Sequence, residues 1–542
     1  MVIDEKKYLL IFDHGTGGPK SAIVSTHGDV ITWAFEAVPL HTAKGGLAEQ
    51  DPNDWWNAIM TASKKAIDNC EIPTEDIIGV CNTSQWSGTV PIDKKGNPLM
   101  NCIIWMDTRA SKYMEKFHKG LIRVDGYNLF KMLPLIKRTA GGPALHGKDP
   151  IANIMWLKGE NPDLYEKTYK FLEPQDYINF RLTGEIAASF ASIHLHWVTD
   201  VRDINNITYS DGLIKKFKID KEKLPQDLKW STEVLGDIKK ELADELGLEK
   251  DVKVVMGAPD LHSANIGSGA VQNYQGHIYI GTSDWLGCHV PYKKTDIFHN
   301  MASAPSAIPG KYMLINEQEI AGGALTFLRD NILYHKDELL QEEAVPDIYK
   351  IFDKIVAQTP AGSNNLIFTP WLIGERGPVD DHTIRGGLYN ISLEMNREHI
   401  IRAIFEGVAY NIKWLLIYVE KFIKKWVKKE KASQIQNGKY MPELNIIGGG
   451  GQSPIWCQIF ADVLDRKIRQ VKNPIQANAR GAAFIASVGL GYATWEHIPK
   501  HIEFSNIFTP NPDNREIYDK LFAEYLNIYD AMGKIYQRLN TE

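Results

Sequence analysis

The chain reads as an α/β protein made of two related halves facing one another. Strand-like apolar runs alternate with segments of helical periodicity along its length, the pattern of layered sheets and helices. The run Tyr8-Leu9-Leu10-Ile11-Phe12 empties into Asp13-His14-Gly15-Thr16-Gly17-Gly18. About half the chain later, Ile278-Tyr279-Ile280 empties into Gly281-Thr282-Ser283-Asp284. Two similar halves, each ending a buried strand in a Gly-Thr turn, produce such an echo. The 542 residues leave room for about three or four ordinary domains, or two large ones.

Composition narrows the classes. With 44% hydrophobic and 24% charged residues, the chain is neither disordered nor fibrous. Its 61 basic against 67 acidic side chains, a net charge of −6, give no global field that draws nucleic acid, so no nucleic-acid partner is expected. No apolar run reaches the ~18–20 residues of a membrane helix, so no membrane partner is expected either. Tyr8–Phe12 is also too short for the apolar core of a secretion signal. The five cysteines, Cys70, Cys81, Cys102, Cys288 and Cys457, are odd in number and none form a C-x-x-C pair. Free thiols of that kind suit a reducing compartment, and a cytoplasmic location is the expectation.

In chain order, the first clear helix follows Asp54, where Trp55, Ile59, Ala62, Ala66, Ile67 and Cys70 recur at three- and four-residue steps. A second runs over residues 398–427, with Ile401, Ile404, Val408, Ile412 and Leu415 as its buried stripe. Lys421, Lys424, Lys425, Lys428, Lys429 and Lys431 crowd its distal end, where cations suit the negative pole of a helix and read as a solvated terminus. Residues 503–542 read as a helical tail.

Four clusters carry chemistry. Glycines after the first strand let the backbone approach an anion and aim N–H groups at phosphate oxygens. There Gly15 and Thr16 would cradle phosphate, Asp13 would hold Mg²⁺ directly or through water, and Lys20 would offset phosphate charge. A plain β-hairpin accounts for the same glycines. Further on, the strand Glu443–Ile447 leads into Gly448-Gly449-Gly450-Gly451, then Ser453 at an N-cap and Pro454 at the first helical position. A strand, a glycine run and a helix N-terminus make a seat for a nucleotide. The dinucleotide fingerprint is excluded, because Ser453 stands where it needs glycine. Gly142-Pro143-Ala144-Leu145-His146-Gly147-Lys148-Asp149 nearly spells a P-loop, but Asp149 replaces the hydroxyl residue that ligates Mg²⁺, and no strand feeds it.

Asp260 follows the apolar segment 252–259 and precedes a run of small residues, which places a carboxylate at a cleft, able to take a proton from a substrate hydroxyl. An N-cap reading explains it as well. Gln85, Trp86 and Ser87, with Trp105 and Asp107 near Arg109, combine aromatic faces with acceptors and donors in the way a polyol requires. Packing of Trp105 and a surface Asp107–Arg109 pair is the plain alternative.

Taken in order, these segments resemble the FGGY carbohydrate kinases, relatives of actin, hexokinase and Hsp70, and among them the xylulokinases. The matching pieces run from Asp13-His14-Gly15-Thr16 through Trp105-Met106-Asp107-Thr108-Arg109, Asp260, Gly281-Thr282-Ser283, Gly374-Glu375-Arg376-Gly377-Pro378 and Gly448-Gly449-Gly450 to Gly481-Ala482-Ala483. The resemblance implies two ribonuclease-H-like domains flanking a deep catalytic cleft, divided here as 1–285 and 286–542. It implies that Asp260 deprotonates a sugar hydroxyl, Asp13 organises Mg²⁺, and Gly15-Thr16 and Gly281-Thr282 cradle the β- and γ-phosphates of ATP. Gly448 to Gly450, with Ser453, would seat the adenosine. Phosphoryl transfer needs positioning and charge neutralisation, and a loose transition state takes the proton late, so the base needs no raised pKa.

The departures from xylulokinases fall on the sugar side: Trp86-Ser87 stands for Met-His, Leu261 for Asn or Gln, Asn153 for Lys and Asn390 for Gly. The expected function is ATP-dependent phosphorylation of a small sugar such as xylulose, with ribulose, glycerol or erythritol as alternatives. A nucleotide-switched, actin-like binding protein is the reading from another class. Trp86 and Ser87 are expected to choose the sugar, and the assembly is left open, a homodimer being one candidate.

Overall fold

The computed structural model describes residues 5–119, 123–124, 127–333, 347–427 and 438–541. Its first half is built on β1 (Tyr8–Gly15), β2 (Gly18–Ser25), β3 (Val30–Phe35), β4 (Ile77–Ser84), β5 (Val234–Asp237) and β6 (Lys253–Val255). They lie side by side as β5-β6-β4-β1-β2-β3. β1 and β2 form a hairpin that sets Asp13 opposite Lys20, while β4 runs parallel to β1 and β6 parallel to β4. Leu9 to Phe12 are wholly buried, as a central strand covered on both faces must be.

The second half repeats the plan with β7 (Gly276–Ile280), β8 (Asp284–Val290), β9 (Thr295–Asp296), β10 (Met301–Pro305), β11 (Tyr312–Ile315), β12 (Glu443–Ile447), β13 (Lys467–Val471) and β14 (Phe504–Phe508). Their order is β9-β10-β11-β8-β7-β12-β13-β14. Here too a hairpin, β7–β8, carries an antiparallel third strand on one side and two parallel strands on the other. The echo between the two Gly-Thr turns is thus an echo between two sheets.

The helices follow their sequence signals. α1 (Pro52–Asp68) starts where Asp51 accepts from the Asn53 amide and Pro52 takes the first position. It buries Trp55, Ile59, Ala62 and Ala66 and leaves Ile67 half-buried, while Cys70, expected on the same helix, lies just beyond its end. α2 (Asp260–Gly267) leaves the first sheet after β6. α3 (Arg397–Trp426) buries the whole expected stripe. Its Lys421, Lys424 and Lys425 are exposed, and Lys428, Lys429 and Lys431 lie outside the described residues. α4 (Pro454–Leu464), α5 (Ala477–Gly489) and α6 (Arg515–Asn540) complete the second half.

α6 is the helical tail, preceded by strand β14, and it buries Tyr518 and Tyr525 against α3. A buried network fastens it: Arg402 donates to Glu406 at 2.7 Å and to the Tyr518 hydroxyl at 2.9 Å, and Tyr518 donates to Glu406 at 2.9 Å.

α2 and α5 pack on each other between the sheets. One apolar core joins Leu9, Ile11, Cys81 and Val255 of the first sheet, Ala264 and Ile266 of α2, Ala482 to Ala486 of α5, and Ile447 and Val471 of the second sheet. The division expected between 285 and 286 falls inside β8, whereas β7 already pairs within the second sheet. We propose that the halves part within residues 268–275.

Candidate active site

Parallel strands align their carboxyl ends, and ligands of α/β proteins sit beyond those ends. β1 ends at Asp13 to Gly15, β4 runs into Gln85-Trp86-Ser87, β6 leads to Asp260, and β7 leads to Gly281-Thr282-Ser283. Thr16, Gln85, Trp86, Ser87, Trp105, Asp260 and Ser283 all line one cleft of about 480 Å³ between the halves.

Asp13 is buried at the end of β1, with Lys20 Nζ 3.3 Å away across the hairpin and Asn478 Nδ2 of α5 3.4 Å away. The Lys20 ammonium therefore pairs with Asp13. Asp260 is the first residue of α2 and is half-buried; its Oδ1 accepts from the Leu261 amide at 2.7 Å. Burial, and then the charge of Asp13, push its carboxyl up to about 7, far above an ordinary aspartate. That exceeds what late proton transfer requires.

Thr16 belongs to a polar lattice on the wall of the cleft. Its hydroxyl donates to Gln85 Oε1 at 3.1 Å and accepts from the Trp105 indole at 3.0 Å. Gln85 Nε2 donates to Gln50 Oε1 at 2.9 Å, and Gln50 donates to the Thr16 carbonyl at 2.8 Å. A Cβ on Gly15 would meet nothing, so the turn is open to a ligand. Trp86 donates its indole N–H to the Ser192 carbonyl at 3.0 Å, and its ring stands edge-on to His262, 5.0 Å between centroids. Ser87, with φ 69°, donates to the Lys148 carbonyl at 3.0 Å.

Asp107 departs from the expected site. It is buried away from the cleft, where the Ala48 amide and the Arg109 amide and guanidinium satisfy both its oxygens. A carboxylate so fully bonded is a structural clamp: the Asp107–Arg109 pair of the plain reading forms, but with Asp107 buried and not at the surface, while Trp105 lines the cleft.

On the second half, the Gly281 N–H closes the turn on the Ser283 carbonyl at 2.9 Å. The Gly322 amide donates to the Gly281 carbonyl, and the Ala321 and Gly323 amides to that of Thr282. Thr282 is exposed. β12 ends beside β7, and Gly448, at φ 84°, lies so close that a Cβ would fall 2.5 Å from the Ile280 carbonyl oxygen. Gly449 is exposed and Gly450 opens the turn that leads to Ser453. Ser453 caps α4 by accepting from the Trp456 amide at 3.1 Å and donates to Asp353 at 2.7 Å. Its hydroxyl is spent on structure.

The cleft also contains residues that sequence reasoning passed over. Lys148 and Asp149, inside the segment dismissed as a P-loop, line it together with His194, Trp285, Glu317 and Arg376. The Arg376 guanidinium pairs with Glu317, and with Glu319 at 2.8 Å. Burial pushes Asp149 up to about 6 and lowers Lys148. Trp285 stacks on Tyr279 with centroids 3.9 Å apart. A His-Leu-His-Trp run at 194–197 was the one legible signal for His194.

Two copies of a hairpin-led sheet clasping a carboxylate-bearing cleft, with a glycine turn at the mouth of each, define a two-domain phosphotransferase of the actin-like ATPase fold. Comparison with known proteins gives the family. Residues 8–267 match the N-terminal domain, and residues 276–490 the C-terminal domain, of the FGGY family of carbohydrate kinases. The chain belongs to that family and is an ATP-dependent sugar kinase. The xylulose kinase of Staphylococcus epidermidis is 27% identical, over 99% of this chain and 98% of the relative. A ligand-bound xylulose kinase from Lactobacillus acidophilus superposes with a TM-score of 0.81 at 25% identity, covering 98% of this chain and 100% of the other. A gluconate kinase from the same organism superposes with a TM-score of 0.82 at 24% identity, covering 99% and 100%.

Proposed function

We propose that the chain transfers the γ-phosphoryl group of ATP to a hydroxyl of a small sugar, a ketopentose of the xylulose kind. The observation that carries this reading is Asp260, a carboxylate poised near neutrality in the same cleft as Trp86, Trp105 and Gln85. The indole faces stack on the carbon skeleton while the amide pairs with hydroxyls. Asp260 accepts the proton of the reacting sugar hydroxyl; the hydroxyl oxygen bonds to the γ-phosphorus as the bond from that phosphorus to the β–γ bridging oxygen breaks, and ADP leaves. Gly15-Thr16 and Gly281-Thr282 flank the β- and γ-phosphates, and Gly448 to Gly450 leave room for the adenosine.

The carboxylates fit a hard cation. The charge of Asp13 adds to the cost of ionising the buried Asp260, and Mg²⁺ characteristically uses one or two carboxylates plus substrate phosphates. Asp13 would hold it, directly or through water, with Lys20 keeping that carboxylate in place. When bound, Mg²⁺ neutralises charge on the transferring phosphate oxygens. The buried free thiols Cys81, Cys102, Cys288 and Cys457 support a cytoplasmic setting.

One feature favours a second acceptor class. The Lys148 ammonium lines the cleft with no hydrogen-bond or ion-pair partner among the described residues, which suits a sugar acid. The deciding experiment is acceptor-dependent ADP release with D-xylulose, D-ribulose, D-gluconate, glycerol and erythritol. Asp260→Asn should keep ATP binding and lose at least ~100-fold in turnover, the low end for a positioned base. Near wild-type turnover in that variant, or ATP hydrolysis indifferent to all five, overturns the reading.

A further inference from the structure

His194 sits in a single turn of 3₁₀ helix, Ser192–His196, and lines the cleft although it is only 1% exposed. Its Nδ1 is buried and has no hydrogen-bond partner. A buried polar nitrogen left unpaired is destabilising, and a ligand entering the cleft that His194 lines can satisfy it. The turn that carries it is tied to the sugar-facing wall at one point, where Trp86 Nε1 donates to the Ser192 carbonyl at 3.0 Å. Within the same turn Ser192 Oγ donates to both oxygens of the buried Asp176, at 3.0 Å each, which fixes its root. Trp197, the next residue, props the ring edge-on, 5.2 Å between centroids.

We propose that His194 reads a hydroxyl of the acceptor sugar and that Trp86 holds it on station through Ser192. The proposal rests on the reading of this cleft as the acceptor site. It supplies what the neighbouring position lacks: Ser87 spends its proton on the Lys148 carbonyl, so a short hydroxyl cannot reach where an imidazole can. Burial lowers the His194 ring to about 3; at neutral pH it is an uncharged imidazole with one donor and one acceptor. An uncharged ring discriminates between hydroxyl patterns without competing for phosphate. Trp86 thus has a double part, offering a face to the sugar and an N–H to the turn.

The test combines kinetics with imidazole NMR. ADP release is measured with D-xylulose, D-ribulose, D-gluconate, glycerol and erythritol for wild type, His194→Ala, His194→Gln and Trp86→Phe. His194→Ala should lose about 10-fold in kcat/KM for the best of the five, mostly through KM, and reorder the rest, as expected for one lost hydrogen bond in a closed site. His194→Gln should recover part of the loss, and Trp86→Phe should move in the same direction by a smaller factor. In protein carrying ¹⁵N-imidazole, the signals absent from His194→Gln should shift when wild type is saturated with that acceptor. A folded His194→Ala with unchanged KM and unchanged ranking, or imidazole signals that ignore the acceptor, overturns the proposal. If wild type uses none of the five, the reading of the cleft itself falls, and this one with it.

Discussion

Gly267 of α2 and Gly481 of α5 touch backbone to backbone at the crossing of the two helices. A Cβ on Gly267 would overlap the Ala477 carbonyl oxygen, one on Gly481 would overlap that of Ser263, and each would stand 2.9 Å from the other glycine's nitrogen. The crossing carries Asp260 at one helix start and, through Asn478, touches Asp13 from the other. The close approach therefore sets the spacing of the two carboxylates.

Gly481→Ala should be strongly destabilising, because the obstacle is backbone and cannot rotate aside; overpacking of this kind costs about 1–3 kcal/mol or more. Gly533, inside α6 with nothing near its virtual Cβ, is the contrast: Gly533→Ala should gain about 0.5–1 kcal/mol from helix propensity. Differential scanning calorimetry of the two variants should give melting shifts of opposite sign. Equal shifts would refute the close-packing account.

The acidity of Asp260 predicts a pH profile. Burial and the Asp13 charge push its carboxyl up to about 7, and only the deprotonated form accepts a proton. kcat/KM should thus fall about tenfold per unit as pH drops below 7, and level off above it. A profile flat from pH 5.5 to 7.5 would show that this group does not gate the chemistry.

Sugar and nucleotide should assist each other's binding. The glycine turns lie at the ends of β1 and β7, on opposite halves, and the proposed seating of one triphosphate between them couples cleft closure to binding. Calorimetry of an unreactive ATP analogue, with and without the best acceptor, should show a tighter Kd in its presence. Identical affinities would exclude the coupling.

The tail is structural. Glu406→Ala should cost about 3–5 kcal/mol, since it leaves the buried Arg402 guanidinium without its counter-charge and removes an acceptor from Tyr518. Urea denaturation measures it. A change under 1 kcal/mol would mean the network is not load-carrying for α6.

The duplicated sheets, α1 and the α3 stripe were legible because burial imposes period on sequence: Leu9 to Phe12 and Ile401 to Leu415 could belong only inside. Asp260, Thr16, Gln85, Trp86, Ser87 and Trp105 were legible because each stands just after a strand, where chemistry is placed. Asp107 misled because a clamp and a ligand group look alike in sequence; only its bonds to Ala48 and Arg109 tell them apart. Ser453 was likewise credited to ligand while its hydroxyl caps α4 and donates to Asp353. His194, Lys148 and Arg376 escaped because they reach the cleft from connecting segments, whose course follows from tertiary packing and leaves no periodic trace.

The core shared by both sheets has a bearing on how the chain is made. Leu9, Ile11 and Val255 find partners in Ala482 to Ala486, residues the ribosome delivers long after Val255. Domains commonly fold in the order of their emergence; the amino-terminal sheet here must wait, one apolar face uncovered, until α5 has left the exit tunnel. Splitting the polypeptide between its halves would therefore yield a first fragment that lacks its own keystone.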